Sequence, residues 1–221
     1  EMATSNTASS ALNRITSPTN TIAVADNGEV ILGATSSNPL ATYQMISKLQ
    51  ADLSFLNTFG SSMSGLSFGS RVTKIHSLSD GTAYVAGTIS SLNGTSVSKG
   101  IVKLLATGAK DSTFNLGVST TTVEDFVVRD DGTLIIVGSQ SGGIFAINSD
   151  GSAHVEFNTN RGVGAQKADG LSGSISAIAL LSDGKILLGG DFVSFNNFSQ
   201  SNIVRLNSDG SIDTSFTPQL E

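Results

Sequence analysis

An all-β fold assembled from tandem repeats is what this sequence predicts, on three observations. Asx-Gly pairs flanked by strand-length apolar runs return at near-constant spacing, small and apolar positions return in step with them, and no stretch carries a helical period. The pairs are Asn27-Gly28, Asp80-Gly81, Asp131-Gly132 and Asp183-Gly184, spaced 53, 51 and 52 residues from glycine to glycine. They divide the chain into four repeats of about 52 residues, at roughly 21–70, 71–120, 121–172 and 173–217. The Ser-, Thr-, Asn- and Ala-rich residues 1–20 are expected to form a polar arm or linker.

Each repeat opens with a hairpin. Asn-Gly and Asp-Gly favour the two-residue type I′ turn, because that turn needs positive φ at both central residues. Six residues before each turn glycine stand Ile22, Ile75, Phe126 and Ile178, and nine before it, in the last three repeats, Val72, Val123 and Ile175; these are expected to be buried first-strand positions. After the turn comes a continuous apolar run, Val30-Ile31-Leu32, Ala83-Tyr84-Val85, Leu134-Ile135-Ile136-Val137 and Ile186-Leu187-Leu188, whose pattern predicts a strand buried on both faces. Six residues past the glycine the residue is always small, Ala34, Gly87, Gly138 or Gly190, which marks a bulge or a close backbone approach.

The second half of each repeat recurs too. A third strand reads Ile46-Ser47-Lys48-Leu49, Ile101-Val102-Lys103-Leu104, Ile144-Phe145-Ala146-Ile147 and Ile203-Val204-Arg205-Leu206. A second turn follows at Thr107-Gly108, Asp150-Gly151 and Asp209-Gly210, with Phe114, Phe157 or Phe216 six residues beyond. In the first repeat this turn reads as shortened, with Phe55 three residues after Asp52. Four strand-like segments per repeat describe antiparallel sheets in series, each of which must stack on its neighbours to bury its faces, with the recurrent Phe as the wedge between sheets. A four-bladed β-propeller is the expected architecture.

Repeat four carries a specific resemblance. Its Ser182-Asp183-Gly184-Lys185-Ile186-Leu187-Leu188-Gly189-Gly190-Asp191-Phe192, followed by Asn202-Ile203-Val204-Arg205-Leu206-Asn207-Ser208-Asp209-Gly210-Ser211-Ile212-Asp213-Thr214-Ser215-Phe216, resembles the delta-60 repeat. The other repeats keep fewer of its landmarks. The resemblance implies a propeller-like fold in secreted or surface bacterial proteins or in phage particle proteins, and it implies no shared catalytic residues.

Composition narrows the function class. Charged residues are only 14%, so Ser, Thr, Asn and Gly fill much of the polar surface. The net charge of −6, with Lys and Arg scattered singly, offers no basic stripe for nucleic acid. No apolar run approaches the roughly 18 residues of a membrane span, so no membrane insertion is expected. With zero cysteine there are no disulfides or thiolate sites.

The motifs that carry chemistry have plainer readings. Asn207, Asp209 and Asp213 alternate oxygen ligands around a glycine as a calcium loop does, but the distal Glu of such a loop is missing and the turn itself explains Asx-Gly. Ser79-Asp80-Gly81-Thr82 resembles a sialidase Asp-box without its aromatic residue. Glu124, Asp125, Asp130 and Asp191 are the carboxylates available to a glycosidase, and sequence brings no pair of them together. His76 and His154 fall at unrelated repeat positions. Lys48, Lys103 and Arg205 share a third-strand position and are expected to meet water or a neighbouring carboxylate.

Loops between the second and third strands vary most, and variable loops on a rigid scaffold are where binding resides. That of repeat four holds Phe192, Phe195, Asn196, Asn197 and Phe198; of these, Phe195, Phe198 and Asn197 are the candidate binding residues for a sugar or a protein. The expectation is therefore a non-enzymatic structural or interaction module of a surface-exposed, secreted or phage-particle (tail or fibre) protein, without cofactors. Its partner is a protein or glycan, such as a host-surface receptor or a neighbouring virion protein, with homo-oligomerisation through a larger assembly. The rival class is a carbohydrate-active propeller enzyme, hydrolase or lyase.

Overall fold

The computed structural model describes residues 19–34, 46–54, 56, 71–88, 91–92, 95–96, 100–116, 122–138 and 142–218. In order the elements are β1 (Thr19–Val24), β2 (Val30–Ala34), β3 (Ile46–Leu49), β4 (Arg71–Ser77), β5 (Ala83–Thr88), β6 (Ser91–Leu92), β7 (Thr95–Ser96) and β8 (Ile101–Leu104). There follow β9 (Val123–Val128), β10 (Leu134–Gly138), β11 (Ile144–Ile147), α1 (Val155–Asn160), β12 (Ala165–Gln166), β13 (Ser174–Leu180), β14 (Ile186–Asp191), β15 (Ser194–Phe195), β16 (Phe198–Ser199) and β17 (Ile203–Leu206). Each repeat gives one antiparallel three-stranded sheet: β1-β2-β3, β4-β5-β8, β9-β10-β11 and β13-β14-β17. Strand β1 already contains Thr19 and Asn20, so the first repeat begins inside the expected arm.

The fold is all-β, as expected, but in repeats two, three and four the fourth strand is reduced among the described residues. Past the third strand the chain returns through single bridges, Leu104 with Lys110, Ile147 with Ala153 and Leu206 with Ile212. One backbone bond then recurs in all four repeats, from residue i+8 to residue i: Leu56 to Lys48, Asp111 to Lys103, His154 to Ala146 and Asp213 to Arg205.

The hairpin turns recur with a geometry other than type I′. In each, the carbonyl three residues before the turn glycine, that of Ala25, Leu78, Arg129 or Leu181, accepts the glycine N–H, and only the glycine has positive φ, 81° in all four. This is a type I turn closed by a left-handed residue. Asx precedes the glycine because its side-chain oxygen accepts the N–H two residues on, as Asn27 does from Glu29 and Asp80, Asp131 and Asp183 do from Thr82, Thr133 and Lys185. The second turns are the same device. Repeat one makes it too, with Leu53 at φ 63° where the others place glycine, so the turn is not shortened. Counting six residues on from Leu53 reaches Phe59 rather than Phe55 as the counterpart of Phe114; both lie outside the described residues.

The recurrent small residue faces a bulge in every sheet. One extra residue, Asn20, Thr73, Glu124 or Ser176, is inserted in the first strand opposite Ala34, Gly87, Gly138 or Gly190. A Cβ on Gly87 would collide with the Arg71 carbonyl, and one on Gly190 with that of Ser174.

The chain forms two compact units, residues 1–112 and 113–221. In the first, Ala23, Ile31 and Ile46 of the first sheet pack against Val72, Ile75, Ala83, Val85, Val102 and Leu104 of the second. The Asn20 amide donates to the Val72 carbonyl across the pair at 3.0 Å. Ile22, expected to be buried like Ile75, is 62% exposed: Ala23 and Ile31 form the face that meets repeat two, and Ile22 points the other way.

In the second unit Val127, Ile135, Val137, Ile144 and Ala146 pack against Ile175, Ile178, Ile186, Leu188, Val204 and Leu206. Asp125 joins the two first strands by accepting the N–H of Ile178 at 3.3 Å. Phe157 acts as the expected wedge, fully buried in this core. It does so from a helix that the sequence reading did not foresee: α1 is one and a half turns long, capped by His154, whose Nδ1 accepts the N–H of Phe157. Among the described residues no helix is long and apolar enough to cross a membrane.

Candidate functional site

The recurrent charged position resolves into structural ion pairs. Lys48 meets Glu29 at 2.7 Å, Lys103 faces Asp111 at 3.8 Å, and Arg205 and Lys185 converge on Asp213 at 2.7 and 2.8 Å. In repeat three, where Ala146 replaces the cation, the Asn158 side chain binds both the N–H and the carbonyl of Ala146 instead.

These contacts also account for the calcium candidates. Asp213 gives one oxygen to Lys185 and Arg205 and the other to Ser215. Hydrogen bonds from Lys185 and Ser215, then from Arg205, hold its carboxyl far below the usual carboxylate range. Asp209 accepts from the N–H and hydroxyl of Ser211, and Asn207 donates to Ser211 and to the Ile212 carbonyl. Their polar groups point at the turn and the ion pair rather than at a common centre. Among the described residues no three His, Asp or Glu side chains converge on a metal-sized site.

Two of the candidate glycosidase carboxylates are engaged separately. Asp125 accepts from the N–H groups of Phe126 and Ile178, and Asp191 pairs with Lys167 at 3.1 Å on the surface. His76 lies half-buried on β4, where burial, and secondarily Lys74, lowers its pKa.

One region of the second unit departs from the repeat. In the second half of repeat three the chain adds α1, a loop through Gly164, and β12; β12 pairs with β15, and β15 with β16, to make a small sheet of its own. The loop of repeat four folds back as a tight hairpin because Asn196 and Asn197 both take positive φ, 48° and 67°. This is the type I′ signature absent from the repeat turns. The Gln166 side chain accepts the Asn197 N–H, and the Asn196 side chain accepts that of Val163, so the hairpin tip is tied to the added loop.

The three sequence-nominated residues share this hairpin but not its exposure. Phe195, opposite Ala165, is fully buried in the core with Phe192, which removes its ring as a contact surface. Phe198, directly across from Phe195, is 48% exposed, and Asn197 is exposed at the tip. The same segment and hairpin carry apolar side chains that the sequence reading missed: Val155, Val163, Leu171 and Val193 are all exposed. No motif signals them; they become visible once Gln166 and Lys167 are seen to bond Val193 and Leu171. Arg161, at the C-terminal end of α1, also lies here, half-buried, with its buried Nε meeting no acceptor.

Comparison with known proteins bears on the fold. Residues 78–114 and 181–216 match the family described as a domain of unknown function (DUF5122) beta-propeller, so the match falls on repeats two and four. No curated protein matches the sequence. Among solved structures, the chain is similar to PorZ, an essential bacterial surface component of the type-IX secretion system of Porphyromonas gingivalis, at 14% identity and TM-score 0.54 over 90% of this chain and 27% of that one. It is also similar to the dihydro-heme d1 dehydrogenase NirN, at 19% identity and TM-score 0.51 over 89% of this chain and 37% of that one. The chain thus spans well under half the length of either protein, and likeness at this identity concerns the fold alone. The chain is all-β, a series of small antiparallel sheets, two of which match the model of a β-propeller family.

Proposed function

We propose that the chain is a non-enzymatic binding module of a surface-exposed, secreted or virion protein, with four delta-60-type repeats as its blades. It engages a protein or glycan partner through the small sheet β12-β15-β16. The observation that carries this reading is the clustering of exposed apolar side chains. Of the six large ones exposed in the second unit among the described residues, five (Val155, Val163, Leu171, Val193 and Phe198) lie on the added segment and its hairpin. Exposed apolar groups gathered in one place mark interaction surfaces. Elsewhere in that unit, among the described residues, Leu180 alone of the large apolar residues is exposed. Similarity to a bacterial surface component agrees with an external setting.

An enzymatic role would draw on carboxylates or histidines held near one another in a cleft. Asp213 is spent on an ion pair, and Asp80, Asp131, Asp150 and Asp209 on turns, each of these four being pulled below the ordinary range by the Ser or Thr two residues on. The test is binding of the protein and its Phe198→Ala variant to glycan arrays and to arrays of surface-protein ectodomains. We expect specific signals that fall at least tenfold in the variant, with its Tm unchanged. Equal signals from the two proteins would overturn the assignment, and hydrolysis of an arrayed glycan would favour the enzymatic rival.

A further inference from the structure

The geometry points to Arg161 as the anchor for a carboxylate on a protein partner that docks against the apolar side chains around β12. The inference deepens the binding reading above and rests on it. The other two described arginines that are partly buried in this unit have acceptors: Arg129 donates to the Ser208 carbonyl and stacks on Phe157, and Arg205 donates to Asp213. Arg161 has none among the described residues, and its Nε is shielded from water as well. Burial also depresses its pKa without any carboxylate to offset the effect.

The side chain is held where a partner would need it. Its guanidinium lies on Gly142, at a position where a Cβ would press against Nη1. The Gly142 carbonyl accepts from Ala165 of β12 at 3.0 Å, and the Arg161 carbonyl accepts from Gly164 at 3.3 Å. Two residues on, Val163 is exposed and tied to the Asn196 side chain at the hairpin tip. A charge is therefore fixed at the root of a loop whose outer positions are apolar.

Ligand chemistry follows from that combination. A lone guanidinium suits a planar monoanion, which it grips with two parallel N–H bonds. The one lysine in the same segment, Lys167, is paired with Asp191, so no second cation is poised for a phosphate dianion. The exposed apolar side chains of this segment and its hairpin are four aliphatic side chains and one phenylalanine, which match aliphatic and aromatic side chains rather than the stacked rings that seat a sugar. A partly buried arginine beside exposed apolar groups is also a residue type on which interface binding energy concentrates.

The experiment is a heteronuclear NMR titration of the whole chain, following the amides of Gly142 and Gly164 and the Arg161 Nε–H. The probes are N-acetyl-L-leucine as its carboxylate, its uncharged amide, glucuronate and inorganic phosphate. We expect saturable shifts with N-acetyl-L-leucine, at least tenfold weaker binding of the amide, and loss of the response in Arg161→Gln. The Tm of Arg161→Gln should not fall, because the guanidinium satisfies no partner in the free protein. If it does fall, Arg161→Lys should still bind more weakly than the parent.

Equal response to the amide would overturn the carboxylate anchor. Preference for glucuronate or phosphate would overturn the protein partner in favour of an acidic glycan or a phosphorylated ligand. Binding lost in Phe198→Ala but kept in Arg161→Gln would sink this inference and leave the surface reading standing, whereas binding kept in both would sink the two together.

Discussion

Leu53 occupies a conformation that the other repeats give to glycine. Its φ of 63° closes the second turn of repeat one, and its side chain is exposed, so nothing is gained from packing to offset the backbone strain. A left-handed L-residue costs about 1–2 kcal/mol, and glycine's extra freedom when unfolded returns roughly half of that. Leu53→Gly should therefore stabilise the protein by about 0.5–1 kcal/mol in urea unfolding. The opposite sign holds at the bulges. Gly190→Ala and Gly87→Ala would drive a Cβ into a backbone carbonyl and should cost about 2–4 kcal/mol. Gly170→Ala, with open space around its Cβ and only φ 79° against it, should cost about 1 kcal/mol. The sequence announced the close approach at the small position, because the residue repeats. It could not announce Leu53, since a turn made without glycine leaves no trace in the pattern.

The elements that lock the sheets together depend on a few side chains. Phe157 fills the core between the two sheets of the second unit, and Phe157→Ala should lose about 3–5 kcal/mol by leaving a cavity there. Asp213 fastens β17 to the turn before β14 through Arg205 and Lys185. Its carboxyl pKa is depressed in the folded state, against about 3.9 unfolded, so its contribution is present above pH 4 and is lost as pH falls toward the folded value. Tm measured from pH 7 to pH 2 should drop less steeply for Asp213→Asn than for the parent, the gap between them closing at the acid end. The short helix α1 escaped the sequence reading for a physical reason. Six residues give too little length for a helical period, and His154 is an uncommon cap. The fourth strand was overcalled because Ile212 and Phe216 are spaced like strand residues, while Asp213 and Ser215 bend the backbone between them.

At the scale of the whole chain, the repeat was legible and the site was not. Turn, middle strand, bulge and third strand recur because the same backbone hydrogen bonds must be satisfied in every sheet, and glycine and Asx at fixed offsets report them. The β15-β16 hairpin has a counterpart in β6-β7 of repeat two, but β12 has none among the described residues, so the exposed Val163, Leu171 and Val193 read as ordinary apolar residues. Phe195 and Phe198 read as equals, although one is core and the other surface, because a two-residue hairpin places both rings on the same face at different depths. The central claim is that four small sheets recur along the chain, each hydrogen-bonded around its own middle strand. Residue-resolved amide hydrogen exchange tests it most directly. The slowest amides should fall in β2, β5, β10 and β14, in four clusters about 52 residues apart. Protection concentrated in a long helix, or spread along strands without that interval, would contradict it.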